Sequence, residues 1–292
     1  PANKDWQKNL AAKNDDLYKV YDFDGFHIDQ VGDRGDVYDY KGNPVKLGNA
    51  FADFIHAMKQ ARPDKKLVFN AVNQFGQEEM ATAPLDVLYT EVWEPNNSFA
   101  DLAKVITDND RFSGNRKKTI LAAYMNYGNA GEKGEFNTPG VLLTDAVIMA
   151  FGGTHLELGE HMLGREYFPN DHLAMKPDLV QALKGYYNFQ VAYENLLRDG
   201  GDFTKIPINS TQAKFKLNNW PPEKGQISVL GKKMQNQTVL HFINFRNANS
   251  LEWRDNKGTQ AEPVAVNGIP VNITVGGPVK KVWYATPDQS QG

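Results

Sequence analysis

From Pro1 to about Asp199, short β-rich apolar runs alternate with longer segments of helical period, and no other feature of the chain constrains the fold as much. Residues 25–29 read as the first strand, beginning from the turn dipeptide Asp24-Gly25. After a polar loop, Leu47, Phe51, Phe54, Ile55 and Met58 fall at spacings of three and four, the apolar stripe of a helix. Residues 67–73, 87–93 and 119–126 read as the second, third and fourth strands. Residues 146–151, ahead of Gly152-Gly153, read as a fifth, although their length equally suits a buried helix segment. Runs that are apolar on both faces and separated by helices imply a parallel sheet covered on both sides. Polar and aromatic side chains gather at the strands' C-terminal ends: Asp29, Asn70 and Asn73, Glu91, Tyr124 and Asn126, then His155 and Glu157. In a (β/α)₈ barrel that rim carries the active site, whereas a doubly wound sheet would gather such residues at one crevice.

A helical stretch around Leu179 to Leu197 closes this part. Beyond it, Gly, Asn and Pro separate short alternating runs at 227–230, 239–243, 271–275 and 282–284, the pattern of a small antiparallel β domain. The expected architecture is α/β: part of a (β/α)₈ barrel over residues 1–200, then an antiparallel β-sandwich over 201–292. Five strands leave three of eight unaccounted for, and a half barrel would expose two strand edges. The chain is therefore expected to be the C-terminal part of a longer polypeptide that supplies the missing N-terminal barrel half.

Composition narrows the partners. Lys plus Arg number 32 against 35 for Asp plus Glu, a net charge of −3, which argues against nucleic acid. No apolar run approaches the ~20 residues of a membrane-spanning helix, so no membrane span is expected. With no cysteine, disulfides, zinc–thiolate sites and thiol nucleophiles are excluded.

Asp29 and Glu91 lie two βα units apart, on strands separated by one neighbour. Adjacent strands are ~4.8 Å apart, and barrel curvature turns inward side chains together. Two carboxyl groups so placed can approach the ~5–5.5 Å used by retaining glycosidases, where one attacks the anomeric carbon and the other protonates the leaving oxygen. Lone acidic residues are ordinarily solvated charge or ion-pair partners. These two are singled out by sharing one rim with Trp93 and Tyr124, two surfaces on which a sugar can stack. Period two puts Tyr89, Glu91 and Trp93 on one face and Glu94 on the other, so Glu94 reads as a rim or helix-start residue. His27 shares the face of Asp29 and suits either a sugar contact or a satisfied interior histidine.

Other motifs carry less. The run from His155 to His161 lacks the histidine spacing of the helical zinc motif, and Gly159 interrupts it, so no metal is expected. The Arg34-Gly35-Asp36 tripeptide reads as loop chemistry. No phosphate loop or Gly-x-Ser-x-Gly elbow is present. No cofactor is expected, because carboxylates alone supply glycosidic cleavage.

The runs Asp24-Gly25-Phe26-His27-Ile28-Asp29-Gln30, Val37-Tyr38-Asp39-Tyr40-Lys41-Gly42-Asn43, Leu88-Tyr89-Thr90-Glu91-Val92-Trp93 and Ala122-Ala123-Tyr124-Met125-Asn126-Tyr127 resemble glycoside hydrolase family 66. So do Gly152-Gly153-Thr154-His155-Leu156-Glu157-Leu158-Gly159, Glu166-Tyr167-Phe168-Pro169-Asn170 and Tyr187-Asn188-Phe189, in the family's order up to about Gly200. The family contains dextranases and cycloisomaltooligosaccharide glucanotransferases. The resemblance implies a retaining endo-hydrolase acting on α-1,6-glucan, that is dextran and isomaltooligosaccharides. It implies that barrel strands 4–8 lie here, with Asp29 as nucleophile at the end of strand 4 and Glu91 as acid/base on strand 6. The candidate substrate-binding residues are His27, Gln30, Asn70, Trp93, Tyr124, Asn126, His155 and Glu157. Glucanotransferases of the family carry an inserted carbohydrate-binding module after the run matching residues 122–127. Residues 128–140 leave no room for one, which favours a dextranase; a cyclising transglycosylase and a non-catalytic glucan-binding fragment are the alternatives. An extracellular or periplasmic location is expected.

Overall fold

The computed structural model of the chain describes residues 1–156, 163–166 and 172–289. They fall into two compact units, Pro1–Asn96 with Val105–Ala122, and Asn97–Lys104 with Ala123–Gly292. Among the described residues no helix is long and apolar enough to cross a membrane.

In the first unit, the Asn3 side chain accepts the Trp6 N–H at 2.9 Å and caps helix α1 (Lys4–Val20). Strand β1 (Gly25–Val31), helix α2 (Leu47–Ala61), strand β2 (Lys66–Ala71), short helix α3 (Gln77–Thr82) and strand β3 (Leu88–Glu91) follow. Helix α4 (Phe99–Ser113), which belongs to this unit from Val105 onward, leads to β4 (Thr119–Ala122). The strands are parallel in the order β1-β2-β3-β4, with Phe26 beside Leu67, Asn70 beside Tyr89 and Leu88 beside Thr119. A helix in each crossover is what parallel pairing requires. The expected stripe on α2 is buried: Phe54 and Ile55 are 2% and 0% exposed and share a core with Leu67, Phe69, Met80 and Leu88. The four expected strands are present; the first runs on to Val31, and the other three are shorter at their C-terminal ends. β2 stops at Ala71 because Asn73 and Gln74 take left-handed conformations, φ 48° and 61°.

In the second unit, β5 (Gly134–Glu135) pairs in parallel with β7 (Leu173–Ala174), and helix α5 (Thr138–Ala150) and strand β6 (Thr154–His155) lie between them in sequence. The expected fifth strand at 146–151 is corrected, since most of it forms the last turns of α5. Val141, Val147 and Ile148 of that helix are each 0% exposed, and a helix buried on every side shows no period to distinguish it from a strand. Helices α6 (Pro177–Ala192) and α7 (Glu194–Leu197) precede strands β8 (Asp202–Thr204), β9 (Ile208–Ser210), β10 (Leu217–Asn219), β11 (Ile227–Lys233), β12 (Thr238–Asn244) and β13 (Val271–Ile273). β11 is antiparallel to β12 and β8 but parallel to β10, so the pairing is not wholly antiparallel as expected; β9 and β13 form a separate antiparallel pair. No strand forms at 282–284, where Trp283 and Tyr284 are 79% and 81% exposed. Alternation yields a strand only where a neighbouring edge takes its hydrogen bonds.

Candidate active site

The site of the first unit begins with an irregularity. β1 and β2 pair regularly to Ile28 beside Phe69 and resume at Val31 beside Ala71. Asp29 and Gln30 therefore stand opposite the single residue Asn70, a β-bulge in which Gln30 is left-handed at φ 60°. The extra residue changes side-chain parity. Ile28 packs against the apolar core and so does Val31, three positions on, while Asp29 turns to the other face. Backbone Gly32 and the Arg34 guanidinium both donate to the Gln30 carbonyl, at 3.1 and 3.2 Å, and hold the turn.

Asn70 joins the two acids. Its Nδ2 donates to Asp29 Oδ1 at 2.8 Å and to Glu91 Oε2 at 2.7 Å. Both lengths start from one nitrogen, so these oxygens lie no farther apart than the two laid end to end, about 5.5 Å. Asn70 Oδ1 accepts the Glu91 backbone N–H at 3.2 Å. Trp93 Nε1 donates to the other oxygen, Glu91 Oε1, at 2.9 Å, as the shared face of positions 91 and 93 predicts. The two acids differ in setting: Glu91 is 9% exposed, whereas Asp29 is open to solvent.

Around them, burial and the charges of Glu91 and Asp29 push the Tyr89 phenol well above its ordinary pKa. The His27 ring lies 4.8 Å from that of Tyr89. His27 keeps open surface, yet the protein crowding its imidazole holds the pKa below the usual value, with Asp29 pulling the other way. Glu94 is exposed, and its carbonyl accepts from Asn73 Nδ2 at 2.7 Å.

Several residues expected to contact substrate are turned inward instead. Asn70 is 2% exposed and engaged with the two acids. In the second unit, Tyr124 and Asn126 are 3% and 0% exposed. Asn126 donates to the Asp255 carbonyl at 2.6 Å and accepts the Asn137 N–H at 2.9 Å. His155 is 1% exposed, with Nδ1 2.6 Å from Asp145 Oδ1 and Nε2 2.7 Å from the Ala123 carbonyl. The carbonyl can only accept, so Nε2 carries hydrogen, and Nδ1 shares a hydrogen with the Asp145 carboxyl. The polar atoms of Asn126 and His155 are engaged within the fold. His27, Gln30 and Trp93 keep exposed surface, and Glu157 lies outside the described residues. Among the described residues, no group of three or more His, Cys, Asp or Glu side chains could hold a metal ion.

The sequence pattern also passes over residues that hold these segments. Arg254 donates to the Tyr124 carbonyl at 3.0 Å and accepts the Asn126 N–H through its own carbonyl at 2.9 Å. Asp145 carried a usable signal: an acid inside the apolar run from Val141 to Met149 is rarely buried without a partner.

Two unequally solvated carboxyl groups at this spacing, carried on a parallel α/β sheet, form the arrangement of enzymes that cleave glycosidic bonds. The chain belongs to glycosyl hydrolase family 66, whose model matches residues 1–292. It is 26% identical over 436 aligned positions to a cycloisomaltooligosaccharide glucanotransferase of Niallia circulans, covering 100% of this chain and 44% of the relative. It is 27% identical over 339 aligned positions to a dextranase of Streptococcus salivarius, covering 99% of this chain and 40% of the relative. Its fold matches the crystal structure of a Paenibacillus sp. cycloisomaltooligosaccharide glucanotransferase complexed with cycloisomaltoheptaose, with a TM-score of 0.87 and 24% identity, over 99% of this chain and 61% of that one. The chain spans less than half the length of these two curated relatives. Set against its 292 residues, 436 aligned positions leave at least 144 of the glucanotransferase without a counterpart, and 339 leave at least 47 of the dextranase.

Proposed function

We propose that this chain carries the catalytic carboxylates of an endo-acting, retaining hydrolase of α-1,6-glucan. The observation that carries the reading is the shared amide of Asn70, which keeps an oxygen of Asp29 and one of Glu91 within about 5.5 Å, a separation that double displacement can use. In the first step Asp29 attacks the anomeric carbon, the bond to the leaving glucosyl oxygen breaks, and Glu91 gives that oxygen its proton. In the second, Glu91 takes a proton from water as the water attacks the anomeric carbon and releases Asp29. Their unlike settings support the division: the solvent-open acid attacks and the enclosed one exchanges the proton. His27, Gln30 and Trp93, which keep exposed surface, would line the glucan path.

The short connection after Tyr127 favours dextran cleavage over cyclisation. Only a single 3₁₀ turn (Tyr127–Asn129) and β5 precede α5, which leaves no space for an inserted module and agrees with the larger unmatched part of the glucanotransferase. Within its unit β1 has a strand on one side only. We read the parallel strands as part of a (β/α)₈ barrel over residues 1–200, completed by the same longer polypeptide, and residues 201–292 as an accessory β domain. A polymeric glucan substrate places the enzyme outside the cytoplasmic membrane.

The test is incubation of the intact polypeptide with dextran, starch and cellulose, followed by product sizing and anomer analysis by NMR. Linear isomaltooligosaccharides released from dextran alone, with the α-configuration kept, are expected. Cyclic products would make it a glucanotransferase, and β-anomers would exclude the glucosyl-ester route. Asp29→Asn and Glu91→Gln should each lose turnover by orders of magnitude while still binding dextran.

A further inference from the structure

Asn73 and Gln74 are consecutive non-glycine residues in the left-handed region, Asn73 at φ 48° and ψ 38°. Such conformations persist only where the surroundings hold them. Gln74 is held by its side chain, which donates to the Val105 carbonyl at 3.1 Å and to Asn109 Oδ1 at 2.8 Å. Asn73 is held differently, and every contact goes one way. Its Oδ1 accepts the Trp93 backbone N–H at 2.7 Å and Asn96 Nδ2 at 3.2 Å, and its Nδ2 donates to the Glu94 carbonyl at 2.7 Å. These partners make up the turn that leaves β3 directly after Glu91. The β2–β3 pairing is given by Asn70 beside Tyr89, so beyond it the Asn73 amide does what a strand backbone would have done. Trp93, fixed in this way, donates its indole N–H to Glu91 Oε1 at 2.9 Å.

We propose that Asn73 is a positioning residue for glucan cleavage, holding the Trp93 backbone so that the indole N–H stays on Glu91 and fixes that carboxyl toward the leaving oxygen. The inference rests on the reading of Glu91 as acid/base. A donor on an ionised carboxylate stabilises its charge, so a looser Trp93 lets Glu91 keep its proton to higher pH. Asp29 on β1, Tyr89 on its own strand and His27 against Tyr89 also lie around Glu91, and β4 pairs with it at Ala122. None of these is bonded to Asn73.

The test is Asn73→Gly in the intact polypeptide, because glycine keeps the left-handed backbone and removes only the amide. On dextran, kcat is expected to fall on the order of 10- to 100-fold with KM unchanged. The alkaline limb of kcat/KM against pH should move to higher pH, and Trp93→Phe should reproduce that movement. An unmoved limb in Asn73→Gly, or one that Trp93→Phe does not reproduce, overturns the positioning role while leaving Glu91 in place. Activity surviving in Glu91→Gln overturns the assignment of Glu91 itself, and this proposal with it.

Discussion

Asn70 grips Glu91 at both ends, donating from Nδ2 to the carboxylate at 2.7 Å and accepting the Glu91 backbone N–H on Oδ1 at 3.2 Å. The same nitrogen reaches Asp29, so changing Asn70 acts on both acids at once. Asn70→Ala is expected to lower kcat/KM on dextran on the order of 10²-fold, the usual effect of losing one preorganised donor. Asn70→Asp should be worse, because it sets a third negative charge between two others. Steady-state kinetics beside thermal melts separates this from unfolding; parental kinetics in Asn70→Ala would mean that the acids keep their spacing unaided.

The His155–Asp145 pair makes a second prediction. With a carbonyl against Nε2, His155 should show that nitrogen protonated in ¹⁵N NMR spectra at neutral pH. Both side chains are fully enclosed, so Asp145→Ala should cost about 3–5 kcal/mol in a denaturant titration. An unprotonated Nε2 would mean that the Ala123 carbonyl has some other donor.

His241 predicts an acid-side loss of stability. Burial, aided by the charge of Lys232, pushes its pKa from 6.5 to about 4, and its Nε2 is enclosed with no hydrogen-bond partner among the described residues. The folded state therefore keeps this imidazole neutral while the unfolded chain protonates it. Stability is unaffected above the unfolded value, declines as pH falls from 6.5 toward 4, and levels off below. Melts of His241→Phe across that window should fall less steeply than those of the parent; equal slopes would remove His241 from the acid response.

The α2 stripe and the shared face of Glu91 and Trp93 were legible because both obey simple periodicities. Phe51, Phe54 and Ile55 repeat as a helix face must, and Glu91 and Trp93 share a face as a strand requires. What Asn70 does was not legible. An asparagine at a strand end serves a sugar or its own neighbours equally well, and only the register beside Tyr89 and the bulge decide between them. Residues 146–151 misled for a related reason: a helix enclosed on all sides loses the contrast that betrays its period. Asn126 and His155 were assigned outward, because exposure depends on packing partners distant in sequence such as Asp255 and Asp145. Asp29 was legible as an acid at a strand end, yet the parity change just beyond it was not.

That parity change has a consequence for what β1 tolerates. Between Asp29 and Val31 the strand exchanges inside for outside, so one stretch of backbone answers to two masters, the chemistry and the hydrophobic layer. Removing a single residue would force a choice between aiming the carboxylate and seating the valine. Replacement of Gln30 by glycine or asparagine, which accept its left-handed backbone, leaves both intact, whereas its deletion sacrifices one. The indispensable property of this strand is its count of residues, with the one that makes up the count able to turn left-handed.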